Sequence, residues 1–387
     1  MDAVSELVKK LREQVLATRR DLHRIPETGF NEVKTSAYVA ERLNALGLEV
    51  QTGIATHGVV GLLRTGKPGP TLMIRADMDA LPITEETGLA FASTHPGCMH
   101  ACGHDSHMAM ALGAAAVLSR LRDRIKGNVK FVFQPAEEGP GGAQPMIQAG
   151  VLENPKVDYA LACHLWSERP EGVIGVRSGA FLAAMDRFDI KILGKGGHAA
   201  QPHLCVDALE VGTQVVAALQ RIVSRQTNPI EPAVVTVGTF HAGTAFNIIP
   251  AEAVLSGTTR TFNEATWDSW ASRLEKVVSG VCDAMGAGYE FKFSRGYPPT
   301  VNDAAVAEVV RRCAVQVVGA ERVVAPELTM GGEDMSFFLK RCPGCFYCIG
   351  VGREGAAPLH NSKFDFKEDL MLLGVETHCR VALDLLG

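Results

Sequence analysis

The chain has no block of basic residues, no apolar run long enough to cross a bilayer, no low-complexity linker and no internal repeat. Each absence removes a class of function. With 38 Lys plus Arg against 43 Asp plus Glu, the net charge of -5 offers nucleic acid no electrostatic footprint. The longest apolar run, Met108 to Leu118, is alanine-rich and falls well short of the roughly 20 residues of a membrane helix. The opening residues, Met1 to Lys10, carry acidic side chains where a secretory signal carries basic ones, and no apolar segment follows. They read as an amphipathic helix, and the cytoplasm is the expected location. Ten cysteines spread over 387 residues without such a signal are expected to be reduced thiols rather than a disulfide framework. A small-molecule substrate is expected, with neither nucleic acid nor membrane as partner.

What is present is ordinary globular material, 47% hydrophobic and 21% charged, in a chain longer than one core usually grows. Two domains are therefore expected. Helical periodicity runs from Val4 to Leu22 and from Val33 to Leu46, where Gly47 stops it. Short β-rich runs follow at Val59 to Leu63, Thr71 to Ala76, Val129 to Gln134 and Val157 to Cys163, with a helical stretch from Asp105 to Leu121 among them. This alternation predicts an α/β sheet covered on both faces. From Asp186 the order becomes β-α-β-β-α-β, ending near Phe293, which is the pattern of a ferredoxin-like module. Residues 1–184 are expected to form the first part of a catalytic domain, 185–294 an inserted ferredoxin-like domain, and 295–387 the completion of the first domain.

Chemistry concentrates in His100-Ala101-Cys102-Gly103-His104-Asp105-Ser106-His107 and, about thirty residues on, in Gln134-Pro135-Ala136-Glu137-Glu138-Gly139. A thiol, imidazoles and carboxylates on two short loops form the ligand inventory of a metal site with an acid or base to spare. Taken singly, Cys102 reads as a core thiol and His104 as a satisfied loop histidine; together they do not. Thiolate and imidazole suit zinc, and a carboxylate such as Glu138 widens the choice to manganese, nickel or cobalt. Arg75-Ala76-Asp77-Met78-Asp79, Glu137-Glu138 and His164 each follow a predicted strand. Ligands in open α/β sheets bind beyond the carboxyl ends of strands, so three such clusters can converge on one crevice. Adjacent carboxylates repel unless a cation compensates, and one of a pair can bind metal while the other serves as general base.

These motifs, with Asp21-Leu22-His23-Arg24-Ile25-Pro26-Glu27, Gly196-Gly197-His198-Ala199-Ala200-Gln201-Pro202-His203, Asn247-Ile248-Ile249-Pro250, Met330-Gly331-Gly332-Glu333-Asp334 and Leu359-His360-Asn361, span nearly the whole chain. In this order they resemble the two-metal amidohydrolases and carboxypeptidases related to aminoacylase, in particular the hippurate hydrolase-like branch. The resemblance implies a mixed, mostly parallel sheet flanked by helices, zinc-peptidase-like, with the inserted ferredoxin-like α+β domain acting as a lid and dimerisation element. It implies two divalent ions per subunit, Mn2+, Zn2+, Ni2+ or Co2+, with Cys102, His104, Glu138, His164 and His360 at the ligand positions and Glu137 at that of the base. Asp79 matches an acid that orients a ligand, while Asp77 stands where many relatives place a ligand histidine. The roles of these two aspartates stay open. His198 matches an oxyanion donor that serves the partner subunit, which implies a homodimer or higher homo-oligomer. Asn247 and Arg260 match substrate contacts, and Gly331 and Gly332 a pocket wall; a guanidinium suits the free carboxylate of an acylated amino acid.

The activity so implied is hydrolysis of the amide bond of N-acyl amino acids by a metal-activated water. The alternatives are a small-peptide carboxypeptidase of the same mechanism, a cysteine hydrolase with Cys102 as nucleophile, and a metal- or peptide-binding relative without activity. Cys342-Pro343-Gly344-Cys345-Phe346-Tyr347-Cys348 lacks the second cysteine pair of a zinc site, and Cys345 to Ile349 reads as a core strand. The glycines before His198 do not follow the order of a phosphate loop.

Overall fold

The computed structural model describes residues 2–387. The chain divides into two compact units, one made of Met1–Gly179, Val301–Glu327 and Asp334–Gly387 and the other of Ala180–Thr300 and Leu328–Glu333.

In the first unit, β1 (Glu49–Ile54), β2 (Gly58–Arg64), β3 (Thr71–Asp77), β4 (Asn128–Gln134), β5 (Tyr159–Pro170) and β6 (Ile174–Gly175) join Val323–Val324 and Gly344–Gly352 in one sheet. Its eight strands are ordered β1, β2, β4, β3, β5, Gly344–Gly352, β6, Val323–Val324. The centre, β4, β3, β5 and Gly344–Gly352, is parallel. β3 is buried at every residue and β4 at all but its first, as central parallel strands covered on both faces must be. Their continuous apolar runs follow from that. β1 is different: it is an edge strand whose residues are exposed or half-buried, so Glu49-Val50-Gln51-Thr52 carries no apolar pattern and escaped the sequence reading. Cys345 and Cys348 lie buried inside the strand Gly344–Gly352.

Four helices begin the unit or lie on its sheet: α1 (Ala3–Lys10), α2 (Arg12–His23), α3 (Val33–Ala45) and α4 (His104–Arg120). The continuous helix expected from Val4 to Leu22 is interrupted at Leu11, whose φ of -93° and ψ of 0° leave helical geometry. Val8, Leu11 and Val15 are all buried across the break, so the apolar spacing persists through it and hides it. α4 is buried on nearly every side, and its alanines let α2 and the helix Met371–Leu386 approach closely. A Cβ on Gly113 would meet Val15 at 2.9 Å and Val375 at 3.0 Å. No helix among the described residues is long and apolar enough to cross a membrane.

The second unit holds a four-stranded antiparallel sheet in the order Ala233–Ala242, Glu252–Thr261, Ala184–Leu193, Gly288–Tyr297. Helices Ala208–Gln226 and Glu264–Met285 pack on it and on each other around Phe188, Ile190, Val215, Leu219, Trp270 and Leu274. Asp207 and Asn263 cap the two helices by accepting backbone N–H groups, which explains where each begins.

Beneath α4, the first unit buries an ion cluster. Asp105 Oδ2, in the first turn of α4, accepts from Arg19 Nε at 3.1 Å and pairs with His23 Nδ1 at 2.8 Å, while His23 Nε2 faces Glu85 at 3.3 Å. A carboxylate there also complements the positive end of the helix dipole. Burial opposes a charge on His23, but Asp105 and then Glu85 outweigh it and push the imidazole from 6.5 up to about 9. A raised imidazole stabilises the fold fully below its unfolded value and loses that contribution as pH rises through its folded one. The unfolding free energy should therefore fall between about pH 6.5 and about pH 9, by on the order of 3 kcal/mol. Urea denaturation at a series of pH values should show a shallower decline for His23→Gln than for the parent chain; parallel curves would contradict the assignment.

Candidate metal centre

The crevice forms where neighbouring strands stop at different levels. β3 pairs with β5 from Leu72 opposite Tyr159 to Arg75 opposite Ala162, and then ends at Asp77. β5 continues to Pro170. His164, expected just beyond a strand, thus lies within β5, two residues past its last pairing with β3. β4 ends at Gln134, and the turn bearing Glu137 and Glu138 follows beside β3.

Cys102 and His104 flank Gly103, whose φ of 84° turns the chain sharply into α4. A Cβ at this position would sit 3.0 Å from Leu165. His360 holds an uncommon left-handed backbone, φ 63°, and its N–H donates to the Ala101 carbonyl at 2.8 Å, which ties its loop to the Cys102 segment.

All five sequence-predicted ligands meet. Cys102 Sγ lies 3.3 Å from His164 Nε2 and 3.3 Å from His360 Nε2; His360 Nε2 lies 3.1 Å from Glu138 Oε1, and His104 Nε2 lies 4.0 Å from the same oxygen. Two donor trios result, Cys102-His104-His164 and Cys102-Glu138-His360, sharing the thiol. A third trio, His104-Glu137-Glu138, brings Glu137 alongside. Their chemistry fits divalent cations. His104 is wholly buried, and among the described residues its Nε2 makes no hydrogen bond, an arrangement that a cation would satisfy. His164 Nδ1 is 2.6 Å from the Leu165 carbonyl, to which it donates, so the lone pair of Nε2 faces Cys102.

The electrostatics agree. Burial works against ionisation of Glu138, yet His360 and His104 hold it at about 2. Burial likewise opposes a charge on His104, but Asp77 and Asp79 hold the imidazole up at about 10 in the absence of a cation. Burial, followed by Glu138 and Glu137, pushes the Cys102 thiol well above its ordinary value. An unaided Cys102 is therefore a protonated thiol among carboxylates, which is a poor nucleophile.

The two aspartates separate clearly. Asp77 Oδ2 accepts from Arg75 Nη1 at 2.7 Å and Oδ1 accepts from His107 Nδ1 at 2.6 Å, while Oδ1 also lies 3.8 Å from His104 Nδ1, in a further donor trio, Asp77-His104-His107. His107 Nε2 in turn accepts the Leu165 N–H at 3.0 Å, which makes His107 a brace between β3 and β5. Asp79 instead receives the N–H groups of Glu137 and Glu138, at 2.9 and 3.0 Å, and lies 3.4 Å from His104 Nδ1. Arg75 extends the brace to Gln134 and Asp334, at 2.9 Å each. The sequence identified Arg75 only as part of a polar cluster; its partner Asp334 is 259 positions away.

In the second unit, His198 pairs with Ile248 across a short ladder, and Ala199 N–H donates to the Asn247 carbonyl at 3.1 Å, so His198 and Asn247 are neighbours and both are exposed. Arg260 Nε donates to the Met330 carbonyl at 3.2 Å, placing its half-buried guanidinium beside Gly331 and Gly332.

A family model for peptidase family M20/M25/M40 matches residues 73–384. The chain is 40% identical over 393 residues to thermostable carboxypeptidase 1 of Saccharolobus solfataricus, with 99% of each chain covered. It is 48% identical over 303 residues to an N-acyl-L-amino acid amidohydrolase of Geobacillus stearothermophilus, covering 78% of this chain and 81% of that one. The crystal structure of the Bacillus subtilis YXEP protein, a dinuclear metal binding peptidase from the M20 family, matches with a TM-score of 0.84 at 33% identity, over 98% of this chain and 99% of that one. With two donor trios sharing one thiol, the chain belongs to peptidase family M20/M25/M40 and carries its metal-dependent amidohydrolase machinery, including a dinuclear metal-binding site.

Proposed function

We propose that the chain hydrolyses the amide bond of N-acyl amino acids, hippurate-like, acetylated or similarly small conjugates. The observation that carries this reading is the position of Glu137: close to the donor trios, outside both of those that share Cys102, and fixed through its own N–H by Asp79. Likeness to an N-acyl-L-amino acid amidohydrolase at 48% identity supports the substrate class. Cys102, His104 and His164 would hold one ion and Cys102, Glu138 and His360 the other. When bound, two divalent ions supply Lewis-acid polarisation of the scissile carbonyl and a water acidic enough to attack at neutral pH. Glu137 takes the proton of the attacking water and delivers it to the leaving nitrogen, as a general base and then a general acid. His198 donates to the developing oxyanion, Arg260 and Asn247 receive the substrate carboxylate, and Gly331 with Gly332 gives the substrate close access to backbone.

The second reading, a small-peptide carboxypeptidase, is favoured by the likeness to a carboxypeptidase over 99% of both chains. A release assay comparing N-acyl amino acids with short peptides decides between them. In either case Glu137→Gln is expected to lower kcat by roughly 10²- to 10⁴-fold while metal content stays at the parent level. Chelation should abolish turnover, and Mn2+, Co2+, Ni2+ or Zn2+ should restore it. Undiminished turnover after complete metal removal would return Cys102 to consideration as a nucleophile.

We assign residues 1–184 and 295–387 to the catalytic domain and 185–294 to a ferredoxin-like lid and dimerisation domain. Its sheet order and all-antiparallel pairing support the fold assignment. Leu204, Phe246 and Ile248 are exposed near His198, and apolar side chains clustered at a surface favour self-association. Mixing Glu137→Gln chains with His198→Ala chains should recover part of the activity if His198 serves the partner subunit. An inactive mixture, with subunit exchange verified, would place His198 in its own subunit's chemistry, and parent-level activity of His198→Ala alone would place it outside the chemistry.

A further inference from the structure

The turn that carries Glu137 is held by three successive backbone N–H groups. Those of Glu137 and Glu138 donate to Asp79, and that of Ala136 donates to Glu32 Oε1 at 2.9 Å. Ala136 has a φ of 55°, a left-handed conformation that a residue with a Cβ adopts reluctantly. An outlier next to a base, tethered by one buried carboxyl, is the kind of strain that surrounding structure must hold in place.

The segment bearing Glu32 is built against this turn. A Cβ on Gly29 would approach Ala136 Cβ and the Gly139 carbonyl, each at 2.9 Å, so only glycine lets the two stretches lie this close. Glu27 caps the start of α3 by accepting from Lys34 and Thr35, and its carbonyl accepts the Ala80 N–H at 2.8 Å. The segment is thereby pinned to the exit of β3, one residue from Asp79. Glu32 itself is fully buried, and its second oxygen, Oε2, has no hydrogen-bond partner. The hydrogen bond from Ala136 is one that an apolar residue filling the same space would not receive.

We propose that Glu32 is a positioning residue for the hydrolysis: acting through Ala136, it fixes the left-handed turn that aims the Glu137 carboxylate. This inference rests on Glu137 being the base. Burial pushes the Glu32 carboxyl up to about 7, so glutamine, which keeps an acceptor oxygen, imitates it closely.

The test uses full-length, metal-reconstituted enzyme and reads kcat, KM, bound metal and melting temperature. Glu32→Gln should stay within about threefold of the parent kcat, whereas Glu32→Met, similar in volume but without an acceptor, should lose roughly 10- to 100-fold in kcat with KM and metal content unchanged. Glu32→Asp, a methylene short of the N–H, should show the same loss and serves if the methionine variant does not fold. Adding Ala136→Gly to either deficient variant should restore several-fold of kcat, because glycine takes the left-handed turn without a tether. Parent-level kcat in Glu32→Met or Glu32→Asp, a loss confined to melting temperature or metal content, or no recovery with Ala136→Gly would each overturn the proposal. Parent-level turnover in Glu137→Gln, run alongside, would instead remove the base assignment on which it rests.

Discussion

Burying carboxylates at one edge of a parallel sheet is the constraint from which the rest of the first unit follows. Glu32, Asp77, Asp79, Asp105 and Asp334 are all buried around the crevice. Withdrawing such groups from water costs several kcal/mol each unless hydrogen bonds and opposite charges replace the solvent. The replacements are specific. Arg75 compensates Asp77 and Asp334, Arg19 and His23 compensate Asp105, and backbone N–H groups of the Glu137 turn compensate Asp79 and Glu32. Every one of these partners also fixes a chain segment that carries a proposed ligand or base. Compensation and positioning are the same set of bonds.

The same reasoning explains the division between donors that face a cation and those that do not. Arg75 and His107 already engage both oxygens of Asp77. A carboxylate so paired has little to gain from a further cation. Cys102, by contrast, lies equally close to His164 and His360, and the charges that act most on it are the acids Glu138 and Glu137. Its thiol is held protonated by burial and by neighbouring acids, so a divalent cation is what would convert it to thiolate.

Much of the fold was legible because buried parallel strands leave continuous apolar runs, as β3 and β4 do, and because the helices carry clean periodicity. Edge strand β1 left no such trace, and the break at Leu11 vanished behind an apolar spacing that continues across it. His164 was placed at a strand end because periodicity reports burial, whereas the opening of the crevice depends on where β5 parts from the neighbouring β3. The ligands were legible for a different reason: Cys102 with His104, and Glu137 with Glu138, are close in sequence. Arg19 and Glu32 were not, since their partners lie 86 and 104 positions away. Glu32 was the more deeply hidden, because it stands at the start of α3, where an acid is unremarkable, and because its partner is the backbone of an alanine, which no side-chain pattern can announce.

Reaction class and substrate identity therefore rest on different physics. The machinery around Glu137 is set by buried bonds with few alternatives, and a change in any one strands a charge or a backbone group. The residues proposed to receive substrate, Asn247, Arg260, Gly331 and Gly332, are exposed or only partly buried. An exposed side chain is weakly constrained by its own fold, and its interaction energy is realised only when a ligand removes the water around it. Substitution at such positions can retune which acyl group and which amino acid are accepted while leaving the buried compensation network intact. On the proposed roles, the residues that name the reaction are therefore not the ones that name the substrate.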